Sequence, residues 1–206
     1  DRVLKSGFNS FDEWAEQSQT TALIFIRRDT IVYEKYFNGF SRDSYFHSQS
    51  VAKSFISFLI GAAIDGGLIK SVDEPITQYV PELIKRDPRF EKITIKNLLE
   101  MRSGIKYNTD FLPFINIHAP WNDEVIGYYH PNLRKILLEE LEVESEPGEA
   151  FEYNNYNTSY LGLIIERATG KTVSKYLEEK LWSQIMEYDA LFSIDSKESG
   201  FEYMPS

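Results

Sequence analysis

The sequence contains no cysteine, which excludes a disulfide framework and a thiolate metal site and leaves the redox compartment open. Long apolar runs are also missing: the longest, Phe55–Ile64, is interrupted by Ser57, and a bilayer span takes about 20 residues. Positive charge is scarce. Against 32 acidic side chains stand 22 basic ones, for a net charge of −10, which argues against a phosphate-binding surface, against nucleic acid as a partner and against docking on anionic lipid. There is no internal repeat, no low-complexity tract and no Gly-x-Ser-x-Gly elbow to present a nucleophilic serine. The chain starts at Asp1 with no signal-like N-terminus, so it reads as soluble, either cytoplasmic or exported after removal of a targeting segment.

What is present suits a folded enzyme. The 206 residues allow one large domain or two lobes, with an ordinary apolar fraction of 42%. Asn9 or Ser10 caps a short amphipathic helix ending near Gln17. Thr21–Arg27 and Thr30–Phe37 read as an antiparallel hairpin turning at Arg28-Asp29, with Ile24, Ile26, Val32 and Tyr36 facing the core. A nearly all-apolar helix runs from Ser50 to about Asp65 and stops at Gly66-Gly67. A turn at Ser71–Pro75 precedes a short helical piece at Ile76–Tyr79, and Thr94 caps a further helix. Lys106–Tyr129 reads as a long loop. Pro131 opens the next helix, a buried helix ends at Gly170, and Val173–Leu181 makes one more. Ala190–Ile194 reads as the start of a strand.

Chemistry concentrates first at Ser50-Val51-Ala52-Lys53. On a helix, positions i and i+3 share a face with Cβ atoms about 5–6 Å apart, so the two side chains can touch. A serine hydroxyl needs a base, and a lysine serves only as the free amine, which burial on an apolar helix favours. At a helix start the serine amide also stands among unpaired N–H groups suited to an oxyanion. Ser103-Gly104-Ile105-Lys106 matches the same pattern but follows a helix, with Gly104 where a helix stops, and reads as a chance match. The plainer reading of Ser50 is a helix cap beside a solvent-facing lysine.

A second constellation is Tyr153-Asn154-Asn155. A phenol just before a buried helix can serve proton transfer if an ammonium lowers its pKa, and an asparagine can bond a substrate carbonyl and a lysine together. Taken alone, Tyr153 is an ordinary packed aromatic. Between Glu139 and Glu152 seven glutamates crowd one segment, either a solvated face or a negative rim for cationic substrates.

Together these stretches resemble the serine β-lactamase and penicillin-binding-protein superfamily, nearest to its class C-like branch of esterases and 6-aminohexanoate-dimer hydrolases. The resemblance is carried by Ile31–Phe37, Ser50–Phe55, Ile95–Gly104, Glu146-Pro147-Gly148, and Tyr153–Asn155 with Leu161-Gly162. It implies an α+β, β-lactamase/transpeptidase-like fold, with an antiparallel sheet flanked by helices and a mostly helical lobe. On that pattern residues 1–49 form the helix and hairpin of the α/β lobe, 50–189 the helical lobe, and 190–206 the start of the return. Ser50 is then the acylated nucleophile, Lys53 its base and Tyr153 the proton relay. Asn155 orients Lys53 and the substrate. No cofactor and no metal are expected.

The family's third motif, Lys-Thr-Gly or a His-x-Gly variant on a later strand, is absent. Thr169-Gly170-Lys171-Thr172 holds those residues in another order. The resemblance therefore implies an N-terminal piece whose sheet is incomplete and whose site needs a missing C-terminal part, in the same or another chain. The expected function is a serine hydrolase acting on a small-molecule amide or carboxyl ester, weak or silent in this piece alone. The alternatives are a penicillin-sensing or peptide-binding module that acylates without efficient turnover, and an interaction domain in which Ser50 is only a cap.

Overall fold

Ser10 starts the first helix as the sequence predicts, its hydroxyl accepting from the Glu13 N–H at 3.0 Å at the head of α1, Phe11–Gln17. The structure, a computed structural model, describes residues 7–112, 117–118, 121–186 and 188–205. They divide into two compact units, one up to His47 and one from Ser48 onward.

In the first unit, β1 (Ala22–Arg27) pairs antiparallel with β2 (Thr30–Tyr36), Ala22 opposite Tyr36, with a bulge between Phe25 and Ile26. Arg28 and Asp29 both take positive φ, 50° and 57°, as a two-residue hairpin turn requires for strands of native twist. The predicted inner face is corrected. The rings of Phe25 and Tyr33 lie 5.7 and 5.8 Å from Phe11 of α1; Tyr33 and Tyr36 are half-buried, Phe25 remains 44% exposed, and Ile24, Ile26 and Val32 stand exposed. Both faces of this hairpin are apolar, so alternation alone could not choose between them, and the aromatic face won the helix.

In the second unit, a 3₁₀ turn at Gln49–Val51 leads into α2, Ala52–Asp65. A 3₁₀ turn at Ile76–Gln78, α3 (Glu82–Arg86) and a 3₁₀ turn at Pro88–Lys92 follow. Then comes α4, Ile95–Leu99, where Thr94 and Asn97 cap each other reciprocally. The expected long loop at Lys106–Tyr129 is corrected from Phe111 onward. Phe111–Leu112 (β3) pairs with Ile117–His118 (β4), and Asp123–Tyr129 is a helix, α5, whose cap Asn122 accepts from the Glu124 N–H at 2.8 Å. The N-cap asparagine followed by Asp123-Glu124 was the legible signal.

Next, α6 (Leu133–Lys135) runs into a π turn at Ile136–Glu140. The long α7, Asn155–Thr169, ends at Gly170 with φ 69°. It is followed by α8 (Val173–Leu177), a π turn at Glu178–Trp182, and α9 (Ser183–Ile185). The expected strand at Ala190–Ile194 amounts to one bridge, Ile194 to Glu202.

The core lies between α2 and α7. Ile56, Leu59, Ile60 and Ala63 of α2 join Tyr160, Leu163 and Ile164 of α7, each at most 1% exposed. Each leucine or isoleucine among them contributes about 1.5–3 kcal/mol by leaving water. Yet α2 is not buried all round: Phe58 is 44% exposed, on a face it shares with the exposed Ser54, Ser57 and Gly61.

Candidate active site

The backbone bends sharply just before Ser50. Gln49 takes φ 49°, a left-handed conformation that costs a non-glycine residue on the order of 1–3 kcal/mol and clusters at functional sites. The first backbone bond of the turn runs from Val51 N–H to the Ser48 carbonyl, so the Ser50 amide stands ahead of the helical ladder. Lys53, one turn on, donates from Nζ to Ser50 Oγ at 3.0 Å.

Tyr153 reaches the same oxygen from 103 residues away, its hydroxyl donating to Ser50 Oγ at 2.8 Å. Its neighbours aim it. The Glu152 N–H bonds the Met101 carbonyl at 2.9 Å, and the fully buried Asn154 caps α7 through Tyr156 N–H while donating to the Ile105 carbonyl at 2.9 Å. An asparagine directly before an apolar helix is a capping signal, and Asn154 carries it. Lys53 Nζ lies 5.0 Å from the centre of the Tyr153 ring.

Burial pushes the Tyr153 phenol up, but Lys53 and the bond to Ser50 outweigh it against a small opposing push from Glu124, and the net pKa falls below the usual tyrosine value. The side chain is 47% exposed, so the hydroxyl cluster opens to solvent. Asn155 stands apart. Its Oδ1 is buried without a partner, its amide lies beside the Tyr107 phenol, and none of the described hydrogen bonds joins it to Lys53. Lys53 has a partner that no local motif signals, the Pro205 carbonyl at 2.8 Å.

The competing pattern at Ser103 has a different use. Ser103 is 2% exposed, donates to Asn157 Oδ1 at 2.6 Å and accepts from Ile105 N–H at 3.2 Å, while Lys106 is exposed. Thr169–Thr172 forms the link from α7 to α8, with Lys171 paired to Glu179. All seven glutamates from Glu139 to Glu152 are exposed. Two pair with lysines, Glu140 with Lys135 and Glu146 with Lys92. Burial and Glu144 raise the Glu152 carboxyl. Among the described residues no group of three His, Asp or Glu side chains is placed to hold a metal ion, and no helix is long and apolar enough to cross a membrane.

The family model for beta-lactamase matches residues 11–200. The chain belongs to the beta-lactamase family. The 6-aminohexanoate-dimer hydrolase of Paenarthrobacter ureafaciens is 31% identical over 97% of this chain and 51% of that protein. A solved Bacillus anthracis protein described as a candidate 6-aminohexanoate-dimer hydrolase superposes with TM-score 0.80 at 25% identity, over 96% of this chain and 52% of the other. The penicillin binding protein from Bacillus halodurans shares the fold, with TM-score 0.56 at 22% identity over 80% of this chain and 51% of the other. The fold is thus the α+β one of β-lactamases and penicillin-binding proteins, with an unclosed sheet. The chain spans about half the length of the Paenarthrobacter hydrolase it matches.

Proposed function

We propose that the protein is a serine hydrolase that forms an acyl-enzyme on Ser50 and hydrolyses a small linear amide or carboxyl ester. The observation that carries this reading is the seat of Ser50 Oγ between the Lys53 amine and the Tyr153 phenol, at 3.0 and 2.8 Å, within the reach that nucleophile activation requires. Ser50 Oγ attacks the substrate carbonyl carbon and gives its proton to Lys53, while the Ser50 amide N–H bonds the oxygen that gains charge. As the C–N or C–O bond breaks, Tyr153 passes its proton to the leaving group and takes the one held by Lys53, which returns the pair to its starting state. Water then adds to the acyl carbon and gives a proton to the same pair, and as the C–O bond to Ser50 breaks that proton passes to Ser50 Oγ.

On this reading Asn155 contacts the substrate, while none of the described hydrogen bonds gives it the further task of orienting Lys53. The 31% identity to a 6-aminohexanoate-dimer hydrolase favours linear substrates over β-lactams, and the exposed glutamates beside Tyr153 favour one bearing an amine. These 206 residues do not supply the second oxyanion donor that the family carries on a later strand. One such donor is worth about 100- to 1,000-fold in rate, so slow turnover is expected from this chain alone.

Intact-mass spectrometry after incubation with a fluorophosphonate and with nitrophenyl esters of short carboxylic acids tests the reading. One adduct on Ser50, lost in Ser50→Ala and slowed at least 100-fold in Tyr153→Phe, is the expected result. Modification elsewhere, or none, refutes it. A burst of nitrophenolate that stops at one equivalent points instead to a module that acylates without turnover.

A further inference from the structure

We propose that Gly162 and Met204 are positioning residues for Lys53: the Met204 side chain lies across the bare Cα of Gly162, and this seat holds the Pro205 carbonyl on the Lys53 amine. Its consequence for rate rests on the reading of Ser50 as nucleophile, whereas the seat itself does not.

Lys53 and Pro205 are 152 residues apart, yet Nζ donates to the Pro205 carbonyl at 2.8 Å, tighter than its 3.0 Å bond to Ser50. A lysine amine on its flexible four-carbon stem keeps one hydrogen bond through many rotamers. A second bond, to a fixed backbone oxygen, removes that freedom and sets which direction of the amine faces Ser50 Oγ.

The carbonyl is fixed only if the chain around it is, and residues 201–205 are all buried. Upstream anchors hold as far as Tyr203. Phe201 N–H bonds Asp195 and its ring lies 4.8 Å from the Arg134 guanidinium; the Glu202 carboxylate accepts from Ser174 N–H at 2.9 Å; Tyr203 N–H bonds the Ser193 carbonyl at 2.8 Å. Beyond Tyr203 the hold passes to the Met204 side chain, which is 0% exposed.

A Cβ on Gly162 would lie 2.5, 2.8 and 2.9 Å from Met204 Cγ, Cε and Sδ, so three atoms of that side chain lie flat against the helix where only hydrogen fits. Glycine inside a helix is unfavourable and calls for a packing reason. Here the reason is this contact, one residue from the carbonyl that Lys53 uses.

Two perturbations separate the seat from general stability. Gly162→Ala improves helix propensity while driving Met204 off its seat. Replacing Ser206 by its 2-hydroxy-acid analogue makes the Pro205 carbonyl an ester oxygen, a weaker acceptor, and leaves the packing of Met204 alone. Met204→Leu, similar in volume, is the conservative control. Two readouts are taken on each folded variant: reductive methylation of Lys53, followed by mass spectrometry, and nitrophenyl ester acylation of Ser50.

Expected are methylation of Lys53 at least five-fold faster in both perturbed proteins and saturating acylation about 10- to 100-fold slower, as for a reacting group displaced by about 1 Å. The half-saturating ester concentration should not move, and Met204→Leu should stay within about three-fold on both readouts. Lys53 methylation at the wild-type rate in both perturbed proteins overturns the proposal. Faster methylation in a protein whose wild type never acylates Ser50 leaves the seat standing and removes the serine-nucleophile reading.

Discussion

Two serines in this chain carry the same Ser-x-x-Lys spacing, and their surroundings predict opposite losses on truncation. Ser103→Ala removes a hydroxyl that donates to Asn157 Oδ1 at 2.6 Å and accepts from Ile105 N–H at 3.2 Å. Both partners sit where water does not reach, Asn157 and Ile105 each being 0% exposed. The remaining bond of the Asn157 side chain is a weak one to Met101 Sδ at 3.4 Å. A buried polar group left without a partner costs about 1–3 kcal/mol, so the two together put the loss at about 2–6 kcal/mol. Ser50→Ala removes an exposed hydroxyl whose place water can take, and such a change stays within about 0.5 kcal/mol. Urea unfolding of the two variants against wild type, with fluorophosphonate labelling of the folded proteins alongside, reads both quantities. Ser103→Ala should lower the midpoint strongly and keep its labelling; Ser50→Ala should do the reverse. A Ser103→Ala protein that loses less than about 1 kcal/mol, or a Ser50→Ala protein that loses as much as Ser103→Ala, refutes the reasoning.

Lys53→Met takes away the amine that pulls the Tyr153 phenol down but not the burial that pushes it up, so its pKa should move from below 10 to 10 or above; ¹³Cζ tyrosine NMR against Tyr153→Phe measures this, and a pKa still below 10 would show that the lysine does not set it. Gly104→Ala places a Cβ 2.2 Å from the Ser145 carbonyl oxygen at a φ of 72°, and backbone cannot yield as a side chain end can, so about 2–5 kcal/mol should be lost in urea unfolding. In the first unit the hydrogen bond to Asp12 holds the Tyr33 hydroxyl up at about 12. The folded state therefore keeps this proton longer than the unfolded chain does, and the stabilisation is complete below pH 10 and lost as pH rises toward 12. Asp12→Asn should return Tyr33 to near 10 in the same NMR titration and remove that alkaline slope.

Caps and stops were the most legible features of the sequence, because they act within three or four residues. Ser10 and Thr94 begin their helices, and Gly170 ends its own, where local chemistry says they should. Asn122 followed the same rule and was hidden by the prolines and aromatics around it. Period alone failed where both faces of an element are apolar: alternation in the hairpin could not tell Phe25 from Ile24, and the apolar run of α2 could not reveal that Phe58 points outward. At the candidate site, the spacing of Ser50 and Lys53 was readable from helix geometry. The approach of Tyr153 came only from resemblance, and the Pro205 carbonyl from neither, since a backbone acceptor 152 residues away leaves no side-chain signature.

The site draws on the packing of two helices. Ser50 stands at the head of α2 and Tyr153 two residues before α7 begins. The pairing of Ile56, Leu59 and Ile60 with Tyr160, Leu163 and Ile164 in one core fixes how those two heads meet. Each N-terminus carries roughly half a positive charge that favours an anion within the first turn. The Lys53 amine and the bond to Ser50 act on the Tyr153 phenol toward its ionised form, while burial acts the other way. Exposure of the cluster weakens every one of these electrostatic effects, because water screens them. A cover over Ser50 that excluded solvent would strengthen all of them together without moving a single side chain.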